Sequence, residues 1–257
     1  MMALIAILLC LIIQRWFRFD SYIRQYHWFD AYFRWLKEQF GHSFFWHSIS
    51  GVGIVIFPLL IIYILITLFV HYLLTMVGYY FLTVIVLWYC MDARLLTSEN
   101  VAHTTIGEIL VNAYRNIFAL IFWLLILGSI GVVLYTLVAS LNRHLENHSL
   151  KRDSGLFLAA SRIEAILDWI PVRLTGITFA LFSHQFPSTF KRWYFSYVHT
   201  ETTAVRQQII EYGLTALGIE ADHPPLSDEL VAIDKLISRA LLVWLVMIAL
   251  FTLGWII

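Results

Sequence analysis

The sequence predicts an all-α integral membrane protein with about four transmembrane helices, a re-entrant or broken central segment and interfacial amphipathic helices. Three long stretches carry no Asp, Glu, Lys or Arg: residues 39–91, 116–142 and 240–257. A helix needs about 20 apolar residues to cross a bilayer, and each charged group at that depth costs a few kcal/mol. The composition agrees, with 60% hydrophobic and 13% charged residues.

The sequence predicts a single membrane domain that covers residues 1–257. Its first half predicts three crossings. Residues 1–14 are apolar and are followed, not preceded, by positive charge, so we expect an uncleaved first transmembrane helix. Residues 15–47 alternate aromatic and Arg side chains at helical spacing, which is typical of an interfacial helix on the cytoplasmic side. Residues 48–74 and 75–91 predict two crossings joined by a short turn, the first with a kink at Pro58.

The central apolar stretch, residues 116–142, is interrupted halfway by Gly128–Gly131. This pattern fits either one flexible crossing or two half-helices that enter the membrane and return. The Lys and Arg residues fall in three blocks, with five in 15–37, two in 94–115 and ten in 143–239. The positive-inside rule places all three blocks in the cytoplasm only if the central segment returns, so the distribution favours a re-entrant hairpin.

The last third of the chain predicts helices at the cytoplasmic membrane surface and a final crossing. Residues 155–183 predict a helix, a break at Pro171 and a second helix. Residues 184–236 predict a cytoplasmic helical region, with one helix over 202–217 that stops at Gly218. Ser227 is a candidate N-cap for the last helix, which continues into the C-terminal crossing at 237–257.

The strongest candidate site lies in the run Ser161–Gly176, where Glu164 and Asp168 are four residues apart and share one helix face. This face lies opposite an apolar stripe, and Arg162 and Arg173 are nearby. One interpretation is an acidic patch for Mg²⁺ or a phosphate-bearing ligand, with Arg173 on the phosphate. The other is a solvated face of an interfacial helix with a snorkelling Arg, which needs no ligand and is favoured by chemistry alone.

A second polar group, Asn112, Arg115 and Asn116, stands at the mouth of the possible re-entrant segment. The ends of half-helices commonly line polar cavities, although these residues could equally be the last polar side chains before an apolar helix. The formal net charge is zero, which argues against nucleic acid as a partner. The histidine pairs at 42 and 47 and at 144 and 148 lack accompanying ligands at metal-binding spacing.

Three segments resemble the AmpE/CobD-CbiB superfamily of bacterial inner-membrane proteins. The run LDWIPVRLTG at 167–176 is similar to the superfamily's signature, and ALIFWLLILGSIG at 119–131, followed by Tyr135, is similar to the preceding block. The N-terminus, with its short apolar start and the pair Gln14 and Arg15, resembles the AmpE branch.

The enzyme branch of this superfamily, adenosylcobinamide-phosphate synthase, carries acidic groups where this chain has Val111, Arg115 and Ala165. The resemblance therefore implies an AmpE-like regulator or sensor rather than an enzyme, linked to cell-wall recycling and β-lactamase induction. It implies a multi-pass protein of the bacterial inner membrane, with the lipid bilayer, a protein partner or an anionic small molecule as partners. The expected ligand-binding residues are Asn112, Arg115, Arg162, Glu164, Asp168 and Arg173. The alternative is a related membrane enzyme that acts on a different phosphorylated substrate.

Overall fold

The computed structural model describes residues 2–16, 27–40, 49–91, 105–147, 155–182, 202–219 and 222–254, and in these residues all regular structure is helical. The helices are α1 (Met2–Trp16), α2 (His27–Phe40), α3 (Ile49–Cys90), α4 (Ile106–Ala113), α5 (Ala119–Leu127), α6 (Ser129–Asn147), α7 (Gly155–Leu181), α8 (Thr202–Leu217) and α9 (Ser227–Gly254). A π-helical segment, Tyr114–Phe118, joins α4 to α5 without a break.

Helix α3 replaces the two crossings and the turn that the sequence predicted at 48–74 and 75–91. Its 42 residues continue through Pro58 and through residues 74–76 as one helix. At 1.5 Å per residue it is about 63 Å long, roughly twice the hydrocarbon thickness of a bilayer. The prediction of a turn was wrong because Gly78 is the only turn-forming residue in this part of the chain, and one Gly does not end a helix.

Three described helices are long and apolar enough to cross a membrane, namely Ser50–Leu74, Ile106–Leu127 and Asp228–Thr252. Val77–Cys90 is apolar but shorter, and α1 has only 15 residues. The described residues are thus those of an all-helical membrane protein, with three candidate crossings where about four were expected. Much of the outer surface is apolar, because Leu65, Phe69 and Leu73 of α3 are each at least 60% exposed.

The chain reverses direction at Gly128, inside the Gly-Ser-Ile-Gly interruption. Gly128 has a positive φ of 66°, a conformation that side chains with a Cβ rarely adopt. Gly131 lets the two limbs approach closely, because a Cβ atom there would lie 2.5 Å from the carbonyl oxygen of Trp123. The first limb begins at Ile106 rather than at residue 116, so Arg115 lies inside a helix and not in a cytoplasmic loop.

Helix α7 is continuous through Pro171, so the predicted break at this residue is wrong. A proline inside a helix costs about 3 kcal/mol through its missing N–H and its clash with the preceding turn. Here Asp168 on one side of the proline and Val172 and Thr175 on the other are all buried. We attribute the continuity of the helix to this packing, which holds the segments before and after Pro171 on a common helix axis.

Helix α8 has the boundaries that the sequence suggested, whereas α9 begins one residue earlier than an N-cap at Ser227 implies. Leu226 has the capping position, and its backbone N–H donates to Glu229 Oε2 at 2.8 Å. Helix α8 covers Thr202–Leu217, and Gly218 follows it with a φ of 73°. Helix α9 begins at Ser227. The chain just before α9 also holds the start of α4, because the carboxylate of Asp222 accepts the Gly107 N–H at 2.8 Å and the Thr105 hydroxyl at 3.0 Å. The last helix and the hairpin are therefore linked at the beginning of α4.

Helix α2 is amphipathic, as its sequence indicated, and its apolar face packs onto the other helices. Phe29, Phe33 and Leu36 are at most 3% exposed. They belong to a cluster with residues of α3, α6 and α7. The Tyr32 hydroxyl donates to the Val55 carbonyl oxygen at 3.0 Å, and the Asp30 carboxylate contacts the ring of His144 on α6.

Candidate functional site

The hairpin and α7 bring six polar side chains together in the protein interior. Each of them is at most 7% exposed. Tyr114 and Arg115 come from the π-helical segment, Tyr135 and Asn142 from α6, and Glu164 and Asp168 from α7. We call these six residues the polar cluster. Arg115 precedes Gly128 by 13 residues and Asn142 follows it by 14, so the antiparallel limbs place both beside Glu164.

Glu164 is held by one group from each limb of the hairpin. Arg115 Nη2 donates to its Oε1 at 2.6 Å, which makes a buried ion pair. Asn142 Nδ2 donates to its other oxygen, Oε2. Arg115 lies within the candidate membrane span Ile106–Leu127. A charge at such a position is costly unless it is paired, so the two charges stabilise each other.

Asp168, one turn further along α7, is held by hydroxyl groups. Tyr114 Oη and Tyr135 Oη both donate to its Oδ1, at 2.7 Å and 2.9 Å. The Tyr114 hydroxyl also lies 3.4 Å from the Asp168 backbone oxygen. Asp168 is thus a buried carboxyl group with two hydroxyl donors on one oxygen, whereas Glu164 has a cationic donor.

Helix α8 covers the Asp168 end of the cluster. A small cavity there is bordered by Tyr114, Arg115 and Asp168 on one side and by Val205, Arg206 and Ile209 of α8 on the other. Arg206 Nη2 lies 3.2 Å from Glu146 Oε2 of α6 in a partly exposed ion pair. Since both partners of this pair are on elements that enclose the cluster, α8 is tied to the hairpin beside the buried carboxylates.

The predicted site residues separate into two groups in the structure. Arg115, Glu164 and Asp168 belong to the polar cluster. Arg162 is exposed on α7. The guanidinium of Arg173 lies 4.8 Å from the centroid of the Trp169 ring. Asn112 is half-buried, three residues before Arg115.

The polar face of α7 is buried, so the expectation of a solvated polar face is wrong. Glu164 and Asp168 are 0% and 1% exposed, whereas the apolar residues Ile166 and Ile170 are 69% and 45% exposed. The expectation failed because the spacing of residues along a helix shows which of them share a face but not whether that face packs against other helices. In a membrane protein lipid is as apolar as a leucine side chain, so apolar residues need not face inward.

The contacts of the carboxylates do not fit the Mg²⁺ interpretation. Both oxygens of Glu164 already have donors, Oε1 the Arg115 guanidinium at 2.6 Å and Oε2 the Asn142 amide, so a metal shared by Glu164 and Asp168 would have to displace one of them. In the part of the chain that the structure describes, no group of three or more His, Cys, Asp or Glu side chains could hold a metal ion. Of the histidine pairs, residues 42, 47 and 148 lie outside the described residues, and His144 contacts Asp30.

Tyr114, Tyr135 and Asn142 are not among the site residues predicted from the sequence. A signal was present, because Tyr135 and Asn142 are seven residues apart and so lie on one face of an otherwise apolar helix. Polar side chains inside membrane segments usually face the protein interior. Their partners on α7 could not be inferred, because Tyr135 and Asp168 are 33 residues apart in sequence.

These features define the class of the protein as a helical membrane protein with a buried ionic cluster between a broken hairpin and a long helix. The family model described as "Regulatory signalling modulator protein AmpE" matches residues 97–256, which is more than half of the chain and includes the entire cluster. The chain belongs to the AmpE family. The resemblance to the wider superfamily is thereby confirmed.

Curated relatives are found on the cobalamin side of that superfamily. The chain is 37% identical to the cobalamin biosynthesis protein CobD of Chromobacterium violaceum over 93 residues, which are 36% of this chain and 30% of the relative. It is 34% identical to the CobD of Stutzerimonas stutzeri over 90 residues, which are 35% of this chain and 29% of that relative. The matched segment thus spans less than a third of each relative. No solved structure matches the chain.

Proposed function

We propose that the protein is a non-catalytic regulator or sensor of the bacterial inner membrane, linked to cell-wall recycling and β-lactamase induction. It binds a ligand or a partner at a polar cavity that opens toward the cytoplasm. The family supports the regulatory role. The observation that carries the proposal is the buried Arg115–Glu164 ion pair, whose arginine lies within a candidate membrane span, since buried charges at such positions are expensive and are usually retained for function.

The polar cluster suits a sensor because it connects elements that are distant in sequence. One end joins both limbs of the hairpin to α7, and the other lies beneath α8. A ligand that binds two arrangements of these helices with different affinity shifts the balance between them. Rearrangement of the buried hydrogen bonds would couple the hairpin to α7 and α8.

The test is a β-lactamase induction assay in a host from which the gene has been deleted. The wild-type chain should restore the normal induction response, and Asp168→Asn should not. Asn preserves the acceptor oxygen for Tyr114 and Tyr135 but removes the ionisable carboxyl group, so the variant should fold. Arg162→Ala, on the exposed side of α7, is the matched control and should behave like wild type. Normal induction with Asp168→Asn would contradict a signalling role for the cluster.

The CobD relatives favour a second candidate, a membrane enzyme related to adenosylcobinamide-phosphate synthase that acts on a different phosphorylated substrate. Against it, Val111, Arg115 and Ala165 stand where that enzyme branch has acidic groups. Arg115 is moreover used as the partner of Glu164. We expect the purified protein to show no Mg²⁺-dependent ATP turnover with cobinamide-type acceptors. Turnover that is abolished by Glu164→Gln would favour the enzyme over the regulator.

A further inference from the structure

A cleft lies beside the polar cluster, between the two limbs of the hairpin and near the end of α3. Its polar side is formed by Arg115 and Asn116 of the π-helical segment and by Ser140 and Arg143 of α6, and its apolar side includes Leu120 and Ala139. None of the residues that line it is an Asp or a Glu. Since Arg115 is already paired with Glu164, Arg143 is the arginine of this lining whose charge meets no carboxylate among the described residues.

Arg115 has hydrogen-bonding capacity to spare toward this cleft. A guanidinium carries five N–H donors, and the contact with Glu164 uses Nη2. The side chain is 7% exposed, so its remaining donors are shielded from bulk solvent except where the cleft reaches them. A ligand acceptor in the cleft would therefore find donors that are already fixed in place by the ion pair.

Arg143 supplies the second positive charge. It is half-buried and makes neither an ion pair nor a side-chain hydrogen bond with the residues that the structure describes. The α6 residues that line the cleft, from Tyr135 to Arg143, recur at helical spacing and share one face. The charge of Arg115 is balanced by Glu164, whereas Arg143, which also lines the cleft, has no carboxylate partner in the part of the chain that the structure describes.

The π-helical segment explains how neighbouring residues serve both the cluster and the cleft. Tyr114 reaches Asp168, Arg115 reaches Glu164 and also lines the cleft, and Asn116 lines the cleft alone. A π-helical turn inserts an extra residue into a helix and is found frequently at functional sites. The π-helical segment and the cleft lining therefore share two positions, Arg115 and Asn116.

We propose that this cleft binds the phosphate group of a ligand, held by Arg115 and Arg143 with Asn116 and Ser140 as neutral donors. The phosphate belongs either to a soluble phosphate ester or to a phospholipid headgroup, which present the same chemistry. The planar guanidinium group of arginine can donate two parallel hydrogen bonds to phosphate oxygens, and such charge-assisted hydrogen bonds are strong. The inference rests on the proposed sensor function, to which it adds the ligand class: a phosphate that draws on the donors of Arg115 alters the buried pair with Glu164.

The soluble source is tested with inorganic phosphate and protein purified in an uncharged detergent. Phosphate should raise the melting midpoint above that in chloride of the same ionic strength. Arg143→Gln should weaken the apparent phosphate affinity at least tenfold, and Arg143→Lys should weaken it less. The matched control, Arg162→Gln, should leave it unchanged. Ser140→Leu, which fills the cleft without changing its charge, should also weaken phosphate binding. This variant replaces Arg143→Gln as the test if Arg143→Gln does not fold.

The lipid source is tested by melting in nanodiscs of phosphatidylglycerol and of phosphatidylcholine. Stabilisation by phosphatidylglycerol that depends on Arg143, with no response to inorganic phosphate, identifies a lipid headgroup. Stabilisation by inorganic phosphate, with no preference for phosphatidylglycerol, identifies a soluble ester. Both results support phosphate binding in the cleft. The proposal is overturned if neither source stabilises the protein, or if Arg162→Gln loses as much affinity as Arg143→Gln.

The two proposals can fail separately. Phosphate binding that depends on Arg143, together with normal induction by Asp168→Asn, contradicts the sensor function and leaves the cleft as a phosphate site. Absence of phosphate binding, together with lost induction by Asp168→Asn, contradicts phosphate binding in the cleft and leaves the proposed sensor function in place.

Discussion

The two ends of the polar cluster contain the same chemical group in different surroundings. Glu164 and Asp168 lie one turn apart on α7 and are both fully buried. Glu164 faces a guanidinium and an amide, and Asp168 faces two phenol hydroxyls. The Glu164 end is therefore a pair of charges that depend on each other, whereas the Asp168 end is a set of hydrogen bonds that a neutral group can also make. We infer that the first end serves mainly to join helices and that the second can be altered without loss of the fold.

The largest expected effect comes from breaking the ion pair. Either Arg115→Met or Glu164→Gln leaves one buried charge without its partner, which costs about 3–5 kcal/mol. Each single variant should therefore lower the melting midpoint in detergent by about 10 °C, since 1 kcal/mol corresponds to roughly 2–4 °C for a chain of this size. The double variant should recover most of the loss, because Gln still accepts from Asn142 and no charge remains. Additive losses would show that the pair does not hold the helices together.

The next effect distinguishes two substitutions at Asp168. Asp168→Ala removes the acceptor of both tyrosines and leaves two buried hydroxyls unpaired, each at about 1–3 kcal/mol. Asp168→Asn retains the acceptor oxygen and should cost less than about 1 kcal/mol. Melting of the two variants side by side measures the difference. If Asn destabilises as much as Ala, the carboxyl group itself is required for folding, and the two ends of the cluster are alike.

The tyrosines allow a smaller and more specific test. Tyr114→Phe or Tyr135→Phe removes one of two donors from the same oxygen, and polar contacts inside membrane proteins average about 0.6 kcal/mol each. The double variant leaves the buried Asp168 carboxyl without either donor, so its cost should exceed the sum of the two single costs. A double-mutant cycle on the melting free energies measures this coupling. A coupling energy of zero in this cycle would mean that the two hydroxyls act independently.

Local features of the fold could be predicted from the sequence. Gly128 marks the reversal of the hairpin because a positive φ favours glycine, and Gly218 marks the end of α8 for the same reason. The start of α9 was predicted to within one residue, with Ser227 as the first helical residue rather than the N-cap. In each case the signal lies within a few residues of the feature, where short-range sterics and hydrogen bonding decide the conformation. Pro171 is the exception, because the burial of distant packing partners outweighs its local preference.

The site could be predicted only in part. The spacing of Glu164 and Asp168 placed them on one face of α7, but their partners are separated from them by 49 and 54 residues in the chain. Arg115 was assigned to the cytoplasmic side because it was grouped with Arg94 by the positive-inside rule, although Ile106, Ile109, Leu110 and Ala113 recur at helical spacing and extend the helix back to residue 106. Whether the shared face points inward depends on the surroundings of the helix, and a pattern of polar and apolar residues does not distinguish water from lipid.

An effect no larger than about that of a single tyrosine contact is expected at Arg173, which tests an arginine outside the cluster. The sequence placed this residue beside Asp168 as the cation of the site, whereas its guanidinium lies over Trp169, a residue that is 39% exposed. A cation–π contact at such a position contributes about 0.5–1 kcal/mol. Arg173→Ala should therefore lower the melting midpoint by no more than about 4 °C, far less than Arg115→Met. Trp169→Ala is the matched control, and the double variant should add little to the larger single effect if the contact is what Arg173 provides. A loss as large as that of Arg115→Met would show that Arg173 balances a buried carboxylate, and the cluster would then need a second cation at its Asp168 end.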